Sequence, residues 1–502
     1  MQRISTTAGR TIAPPFWTSS TPIFCKRQLA TMPPKKTTSS PLAGTKRPAP
    51  DNDCAISPPP MKRKAQTAMT KTAVANFFTP ASQKPKEPTV WSERSPPDSE
   101  SSPATLLVAK YLPALFASTA GYTDPKGKRR KIAAFDLDST LITTASGKQH
   151  ASDPADWKWW HPSVPARIKE LFNVEGYQVV IFTNQGGLTL HPDPKSKAPT
   201  KFTKTRVPNF KQKCNAVLNQ LGIPITLYAA TAKDIFRKPR TGMWEQMKSD
   251  YSLQEDEIEK EECIFVGDAG GRVAVPKGPK ADFSCSDRNL AANIGIKYLT
   301  PEEFFLGEQP REFSRDFDLK GIPFVEEGLQ EGEGIVFEKK FKKEVVLFVG
   351  PPGAGKSTFF WKHLKPLGYE RVNQDSLKSK DKCFKAAGEW LKEGDSVAID
   401  NTNADPEIRS QWIDLAKKHG AKARCVWFKT PPELCEHNDT VRALNKNLNP
   451  ETRTMLPKLA FNSFKSRFKE PKDKEGFEEI IPVDFHFRGT KEEYEIWRRY
   501  WV

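Results

Sequence analysis

Two aspartates that stand one residue apart follow an apolar run early in the chain. Asp136 and Asp138 come directly after Ile132–Phe135, which is typical of a buried strand. Alternate residues of an extended chain point to the same side, so both carboxylates can face one cleft. A carboxylate can attack phosphorus, and a neighbouring acid can protonate the leaving alcohol and later activate water. This pattern predicts a phosphoryl transfer that passes through an aspartate.

Further polar residues that suit a phosphate site follow later apolar runs. Thr183 and Asn184 end a second run, Asp268 comes after a third, and Arg237 and Lys238 lie between them. Because ligands of open α/β sheets bind beyond the carboxyl ends of the strands, we expect these side chains to converge. A lysine and Mg²⁺ can neutralise the phosphoryl oxygens, and carboxylates can hold that metal. The set therefore favours magnesium-dependent phosphate chemistry.

Together these motifs resemble the haloacid dehalogenase superfamily of aspartyl phosphatases. The resemblance implies that Asp136 is the nucleophile and that Asp138 is the general acid and base. It also implies the surrounding residues: Thr183, Asn184 and Arg237 bind the substrate, Lys238 screens charge, and Asp136, Asp138 and Asp268 hold Mg²⁺.

Two assignments in this region stay open. Lys233 competes with Lys238 for the charge-screening role. Many members of the superfamily carry a further acid a few residues beyond the position of Asp268, and here either Asp282 or Asp287 can take that part.

A second motif starts at Gly350. Residues 350–358 read GPPGAGKST and match GxxxxGK[ST] between an apolar strand and a predicted helix. Glycines let the backbone N–H groups of such a loop surround phosphates at a helix N-terminus. We expect Lys356 at the β- and γ-phosphates and Ser357 at Mg²⁺. The predicted nucleotide is ATP, and the predicted nucleotide-binding residues are Gly350, Gly353, Gly355, Lys356, Ser357 and Thr358.

The residues after this loop favour a small kinase over an ATPase or a GTPase. Asp375 follows the next predicted strand, where an acid can take the proton of a substrate hydroxyl. The region is short, contains one such loop and lacks a guanine-reading NKxD sequence. Arg442 is the nearest candidate for a substrate-binding arginine of the ATP lid, and Arg467 is the alternative.

Both regions together resemble the polynucleotide kinase 3′-phosphatase family over residues 105–502. The matching segments include FDLDSTL, IFTNQ, FVGDAGGR, DFSCSDR, PEEFF, GPPGAGKST, NQDSL and DNTN. The resemblance implies a 3′-phosphatase and an ATP-dependent 5′-hydroxyl kinase that make DNA ends ligatable, with Asp375 as the kinase general base. Animal members begin with a forkhead-associated domain, whose strands the first 104 residues of this chain lack.

Other functions are weighed against this one. RNA ends are the nearest alternative substrate, but no segment resembles a ligase or a cyclic phosphodiesterase, so DNA is preferred. A non-catalytic scaffold for DNA ends is disfavoured because Asp136, Asp138, Lys356, Ser357 and Asp375 are all present. A metabolite kinase-phosphatase is disfavoured by the basic charge and by the specific family motifs.

Composition and alternating patterns predict two folded domains behind a tail. The chain has 502 residues, 37% of them hydrophobic, with 43 prolines and a formal net charge of +17 that favours polyanionic partners. Strand-like runs alternate with helical segments, which predicts an α/β fold of two doubly wound parallel-sheet domains. The predicted divisions are a disordered basic tail at 1–104, a phosphatase domain at 105–305, a linker at 306–340 and a kinase domain at 341–502.

The tail carries three candidate signals. Its start is basic, rich in Ser and Thr, and free of acids before Asp51, as in a mitochondrial transit peptide. Lys46-Arg47 and Met61–Lys64 form two basic clusters that suit nuclear import. Lys71–Phe78 resembles a sliding-clamp-binding peptide, although Lys71 stands where such peptides usually carry Gln. We expect a nuclear protein, with the mitochondrion as the alternative.

Several expectations concern the chain as a whole. No apolar run approaches the length of a membrane span, and the eight cysteines form no CxxC pair, so free thiols in a reducing compartment are expected. No heptad pattern is evident, which favours a monomer. Trp157–Trp160 is expected in the core, and Lys465, Arg467 and Phe468 suit either a DNA groove or a solvated helix face.

Overall fold

The structure of the chain is a computed structural model that describes residues 88–97, 102–117, 129–151, 153–191, 200–315, 317, 319–324, 337–449 and 452–502. The transit, nuclear import and clamp-binding segments predicted above lie outside these residues. Within the described ranges, no helix has both the length and the apolar character needed to cross a bilayer. The cysteines in those ranges are free, and most of them are buried.

The first folded domain is built on a seven-stranded sheet. Its strands, together with a separate hairpin of β4 and β5, are β1 Thr89–Arg94, β2 Leu106–Tyr111, β3 Ile132–Phe135, β4 Ile142–Thr143, β5 Lys158–Trp159, β6 Gln178–Asn184, β7 Ile225–Ala230, β8 Ile264–Val266 and β9 Lys297–Leu299. The sheet order is β1-β2-β7-β6-β3-β8-β9. The five strands from β7 to β9 in this order run parallel, and β2 and β1 extend the sheet in antiparallel pairs. The predicted parallel α/β sheet is confirmed, with an antiparallel edge added to it.

This antiparallel edge moves the start of the first domain. β1 lies inside the segment predicted as a disordered tail, and it pairs along its whole length with β2. Trp91 of β1 packs against Phe210 with ring centroids 6.4 Å apart and donates its Nε1–H to Asn215 at 3.0 Å. The predicted boundary between residues 104 and 105 is therefore wrong. An edge strand buries only part of its side chains, so its short pattern TVWSER does not stand out as a buried strand.

Helices cover both faces of this sheet, as the alternating pattern predicts. They are α1 Ala114–Ala117, α2 Val164–Asn173, α3 Thr200–Leu221, α4 Gly242–Asp250 and α5 Ser286–Ile294. In β3, Ala133 and Phe135 belong to the core cluster shared with α2 and α3, whereas Ile132 and Ala134 belong to the cluster shared with α4 and α5. The tryptophans of the segment 157–160 pack against the first of these clusters, as expected. Burial on both sides explains why β3 reads as a continuous apolar run.

The second domain is built on a five-stranded, fully parallel sheet. Its strands are β10 Glu344–Val349, β11 Tyr369–Val372, β12 Ser396–Ile399, β13 Lys422–Phe428 and β14 Glu479–Val483, in the order β11-β12-β10-β13-β14. Its helices are α6 Lys356–Phe359, α7 Gln374–Leu377, α8 Lys380–Glu393, α9 Pro406–Lys418, α10 Pro432–Leu444, α11 Lys458–Arg467 and α12 Lys491–Trp497. Central strand β10 leads through the glycine-rich loop into α6, so the predicted strand-loop-helix unit is present.

Part of the segment predicted as a linker packs against the two domains. Phe313 forms a β-bridge with Arg272 of the first domain. Leu319 is buried in an apolar cluster of the second domain, and the ring of Phe317 lies 5.2 Å from that of His437. These residues of the predicted connector at 306–340 therefore pack on the domains that they join. Their apolar side chains are scattered among charged ones, so the sequence shows no periodic pattern that would indicate burial.

Two candidate active sites

Asp136, the expected nucleophile, lies at the carboxyl end of β3. Its backbone N–H donates to the carbonyl oxygen of Val266 at 2.9 Å, so the neighbouring strand β8 helps to hold it. The Nζ atom of Lys238 lies 2.6 Å from Asp136 Oδ1 and 2.8 Å from Asp287 Oδ1. Lys233 is exposed and lines the same cavity. The structure therefore brings Lys238 rather than Lys233 onto the nucleophile.

Three carboxylates meet beside this lysine. Ligand atoms of Asp136, Asp268 and Asp287 lie within 4.8 Å of one another. A Cβ atom at Gly267 would come 2.2 Å from Asp287 Oδ2, so only glycine permits this close approach. Of the two candidates for the further acid, the structure brings Asp287 into the cluster.

Asp282, the other candidate, supports the loop that follows Asp268. The guanidinium of Arg272 lies 2.9 Å from Asp282 Oδ2 and 2.6 Å from Glu302 Oε2. The Asp282 carboxylate also accepts the backbone N–H of Gly270 at 3.1 Å. The Asp282 carboxylate is therefore hydrogen-bonded within the loop, where it stabilises the loop and does not join the carboxylate cluster.

Asp138 lies apart from the cluster. Its carboxylate accepts hydrogen bonds from Lys213 Nζ at 3.1 Å and from Gln185 Nε2 at 2.7 Å. Its side chain is 51% exposed. Within the described residues, the carboxylate cluster does not include the Asp138 side chain, so the predicted part of Asp138 in holding Mg²⁺ stays a prediction. An exposed carboxylate still suits proton exchange with a substrate and with water.

The electrostatics of the cluster favour a cation. Burial raises the pKa of Asp136 to about 7, despite the opposing charge of Lys238. Burial, with the charges of Asp136 and Asp287, raises the pKa of Asp268 to about 8. Burial disfavours the charged form of Lys238, but Asp136 and Asp287 outweigh it and raise its pKa to about 12. One lysine faces three carboxylates, and such an oxygen donor set fits a divalent cation such as Mg²⁺.

The predicted substrate-binding residues of this site differ in their exposure to the cavity in front of Asp136. Arg237 and Asn184 line the cavity in front of Asp136. Asn184 also accepts the backbone N–H of Lys238 at 2.9 Å and donates to its carbonyl oxygen at 3.1 Å, so it braces the loop. Thr183 is buried, and its Oγ1 accepts a hydrogen bond at 2.9 Å from Gln185, to which the sequence assigned no role.

The first site opens into a cavity of about 1400 Å³ whose opposite wall comes from the second domain. Lys465 of α11 and Tyr500 contribute to that wall. Phe468, which was considered for the same groove, stacks on Phe464 with centroids 5.1 Å apart and packs against the core. The cavity in front of Asp136 is therefore lined by residues of both domains.

The glycine-rich loop after β10 forms the second site. Buried Lys356 donates to the carbonyl oxygens of Gly350 at 3.1 Å and of Pro351 at 2.5 Å. Burial lowers the pKa of Lys356 to about 8. At Gly353 φ is 79°, and a Cβ atom there would lie 2.3 Å from the carbonyl oxygen of Cys435. The loop therefore requires glycine at this position and holds Lys356 at the centre of its curve.

Ser357 lies beside a buried acid to which the sequence assigned no role. Its Oγ donates to Oδ2 of Asp400 at 2.8 Å, and Asp400 also contacts Arg371 at 2.5 Å. Asp400 follows β12, so its carboxylate reaches the same edge of the sheet as the loop. A serine hydroxyl next to an aspartate fits a Mg²⁺ ion that accompanies a bound nucleotide.

A cavity of about 1280 Å³ opens above this loop. Gly355, Thr358 and Asp375 all line it. Asp375 lies in the first turn of α7, where Asn373 caps the helix by accepting the N–H of Asp375 at 3.0 Å. The Asp375 side chain is 78% exposed and lies 3.5 Å from Arg453. An acid so placed can receive a proton from a hydroxyl that enters the cavity.

Four arginines line the nucleotide cavity, and they are Arg371, Arg442, Arg453 and Arg488. Arg442 is held by Asp439 at 2.5 Å, and Arg453, which the sequence analysis did not single out, lies beside Asp375. Arg467 instead pairs with Asp405 at 3.6 Å and lines a neighbouring pocket. The structure thus places Arg442 rather than Arg467 at this site.

Comparison with known proteins agrees with this geometry. A family model described as polynucleotide kinase 3 phosphatase matches residues 131–305, and a model described as an AAA domain matches residues 345–382 and 378–471. The bifunctional polynucleotide phosphatase/kinase of Schizosaccharomyces pombe is 40% identical over 376 residues, which cover 74% of this chain and 84% of that relative. The chain belongs to the bifunctional polynucleotide phosphatase/kinase family. The resemblance inferred from the motifs is confirmed.

A single-activity relative matches the first domain alone. The polynucleotide 3′-phosphatase of Saccharomyces cerevisiae is 31% identical over 216 residues, which cover 35% of this chain and 87% of that relative. The family motifs of this domain are explained by contacts described above: the Asp282 of DFSCSDR and the Glu302 of PEEFF both bind Arg272. The phenylalanines of PEEFF pack on Phe135, at the end of the strand that carries the nucleophile.

The two cavities of this family member share a wall. Thr454 and Leu456, in the loop between α10 and α11, line the phosphatase cavity and the nucleotide cavity alike. Phosphatase and kinase sites are therefore adjacent regions of one folded body rather than separate modules.

Proposed function

We propose that this member of the family repairs broken DNA by removing 3′-phosphates with its first domain and phosphorylating 5′-hydroxyls with its second. The observation that carries the proposal is the contact of Lys238 with both Asp136 and Asp287, which suits phosphoryl transfer to a carboxylate. The net charge of +17 favours a polynucleotide substrate. DNA is preferred to RNA because no segment of the sequence resembles a ligase or a cyclic phosphodiesterase.

In the phosphatase reaction, Asp136 attacks the phosphorus of a terminal 3′-phosphate and the bond between phosphorus and O3′ breaks. Lys238 orients Asp136 through their 2.6 Å contact and balances charge on the phosphoryl oxygens. Asp138 gives a proton to O3′, and then takes one from the water that hydrolyses the aspartyl phosphate. Its contacts with Lys213 and Gln185 hold its carboxylate at the cavity.

In the kinase reaction, Asp375 takes the proton of a 5′-hydroxyl as its oxygen attacks the γ-phosphorus of ATP. Lys356 and the backbone N–H groups of the loop bind the phosphates, and Arg442 lines the same cavity. Asp136, Asp268 and Asp287 would hold Mg²⁺ in the first site, and Ser357 with Asp400 would hold it in the second. The ion would supply neutralisation of phosphoryl charge at both sites.

The test uses a DNA duplex with a gap that carries 3′-phosphate and 5′-hydroxyl ends, in the presence of Mg²⁺ and ATP. We expect wild-type protein to process both ends, Asp136→Ala to lose only the phosphatase reaction and Lys356→Ala to lose only the kinase reaction. A wild-type protein that leaves both DNA ends unchanged would refute the proposal. A parallel gapped RNA substrate distinguishes DNA from RNA ends.

Location, assembly and partners are proposed from the sequence. We propose a monomer in the nucleus, directed by the two basic clusters Lys46-Arg47 and Met61–Lys64, with a mitochondrial fraction made from the first start codon and lost when synthesis begins at Met32. We also propose that Lys71–Phe78 binds a sliding clamp. Fluorescent fusions that begin at Met1 or at Met32 test the location, and clamp binding by Phe77→Ala/Phe78→Ala protein tests the partner.

A further inference from the structure

Asn293, at the end of α5, joins the catalytic loop of the phosphatase to the last residues of the kinase domain. Its Nδ2 donates to the carbonyl oxygen of Pro239 at 2.9 Å and to that of Tyr500 at 2.7 Å. Its Oδ1 accepts the backbone N–H of Tyr500 at 2.8 Å. One side-chain amide therefore connects two backbone segments from different domains.

The segment that Asn293 holds carries the lysine of the phosphatase site. Lys238 directly precedes Pro239, and its own backbone is held from the other side by both amide atoms of Asn184, at 2.9 and 3.1 Å. The Lys238 side chain then extends to Asp136. Two side-chain amides therefore hold this loop, those of Asn184 and Asn293. The Asn293 amide is held in turn by the backbone of Tyr500 in the kinase domain.

The kinase domain holds that partner firmly. Trp497 of α12 is buried and donates its Nε1–H to Oδ1 of Asn438 at 2.8 Å, and Asn438 donates to the carbonyl oxygen of Gly353 in the nucleotide loop at 3.0 Å. The guanidinium of Arg315 lies 4.8 Å from the centre of the Tyr500 ring. The segment that Asn293 binds follows directly after α12, and Asn438 joins that helix to the nucleotide loop.

We propose that Asn293 is a positioning residue of the phosphatase and that, through Tyr500, the kinase domain fixes the place of Lys238. The proposal rests on the phosphatase function proposed above for the Asp136 site. Without the Asn293 hydrogen bonds, Pro239 loses one of the contacts that keep Lys238 between Asp136 and the cluster. Displacement of a catalytic group by about 1 Å can reduce a rate by about 100-fold, although the group itself is unchanged.

The first test compares Asn293→Ala with wild type in the full chain, on a single-stranded DNA oligonucleotide with a 3′-phosphate. We expect kcat to fall about 10- to 100-fold while KM changes less than about threefold, because positioning is lost and binding groups remain. The 5′-kinase activity of the same preparation should remain unchanged, which shows that the protein is folded. Asn215→Ala is the matched control, because this amide accepts a hydrogen bond from Trp91 in the same domain at 3.0 Å, and its kcat should equal that of wild type.

The second test removes the other side of the contact. A chain without residues 500–502, which also loses side chains that line the cavity, should show at least the same loss of phosphatase kcat. Adding Asn293→Ala to it should lower kcat no further, because the contact between Asn293 and residue 500 is already absent. Should the shortened chain also lose kinase activity, Tyr500→Pro, which removes the N–H donor and the aromatic ring, takes its place, and Tyr500→Ala, which keeps the N–H donor, is its control.

Wild-type kcat in Asn293→Ala protein, or losses that multiply when the two changes are combined, would overturn the proposal. Absence of 3′-phosphatase activity from the wild-type protein would instead contradict the proposed function.

Discussion

Asp287→Asn tests the carboxylate cluster of the phosphatase most directly. The substitution keeps the size of the side chain and removes one negative charge from a position 2.8 Å from Lys238 Nζ. With an effective dielectric constant of about 20, a pair of unit charges at that distance attracts by about 6 kcal/mol. The amide oxygen can still accept a hydrogen bond from Lys238, and Asp136 still faces the lysine, so only part of this attraction is lost.

A loss of about 2–3 kcal/mol in transition-state stabilisation corresponds to a phosphatase rate that is about 30- to 150-fold lower. Since Asp287 also belongs to the group of carboxylates proposed to hold Mg²⁺, the Mg²⁺ concentration for half-maximal rate should rise in the same variant. Release of inorganic phosphate from a DNA 3′-phosphate, measured over a Mg²⁺ titration, gives both quantities. The kinase rate of the same preparation serves as the measure of folding.

Asp282→Asn is the matched control for this prediction. Asp282 pairs with Arg272, at a distance of 2.9 Å, in the loop after Asp268. Removing the charge of Asp282 should lower the thermal stability of the first domain and change the phosphatase rate less than Asp287→Asn does. Two results would refute the assignment of Asp287 to the cluster. One is a phosphatase rate for Asp287→Asn within about fivefold of wild type, and the other is a phosphatase rate for Asp282→Asn that is lower than the rate for Asp287→Asn.

Three further predictions concern other parts of the chain. Gly353→Ala places a Cβ atom 2.3 Å from the carbonyl oxygen of Cys435, so the nucleotide loop must shift. In a paired assay of both activities, the kinase rate should fall more than about 100-fold and the phosphatase rate should stay within about twofold of wild type. Trp91→Ala removes the contact of β1 with Phe210 and should lower the unfolding free energy of the first domain by about 2 kcal/mol. The urea midpoint for loss of phosphatase activity measures this change. An unchanged midpoint would show that β1 does not stabilise the first domain. Burial lowers the pKa of His437 from 6.5 to about 4, so the unfolded chain takes up a proton on this residue at a higher pH than the folded chain does. The second domain should therefore lose about 3 kcal/mol of stability as the pH falls from 6.5 to 4. His437→Gln should flatten the pH dependence of the denaturation midpoint of this domain.

The sequence predicts the central strands well because both of their faces are buried. β3 has the predicted bounds, Ile132–Phe135, since a strand covered on both faces is a continuous apolar run. β1 is missed for the opposite reason, because only one of its six side chains is buried. Local pattern therefore indicates the middle of each sheet and leaves its edge undetermined.

The site residues divide in a similar way. Asp136 and Lys356 follow from motifs that a single strand and loop position, so their places could be inferred from spacing. Asp287 stayed open against Asp282 because the loop between the strand and α5 decides which acid turns inward, and spacing does not encode that turn. The pair of Asn293 and Tyr500, separated by 207 positions, depends on how two domains pack, which no local pattern carries.

The wall formed by Thr454 and Leu456 has a consequence for how this enzyme can change over evolutionary time. Most active-site residues here face one substrate, so a substitution at them is selected through one reaction. At these two positions, a larger side chain that narrows the path of the 3′ end also alters the chamber for the nucleotide. Variation there is judged by both activities at once, and the two specificities of the chain cannot drift independently.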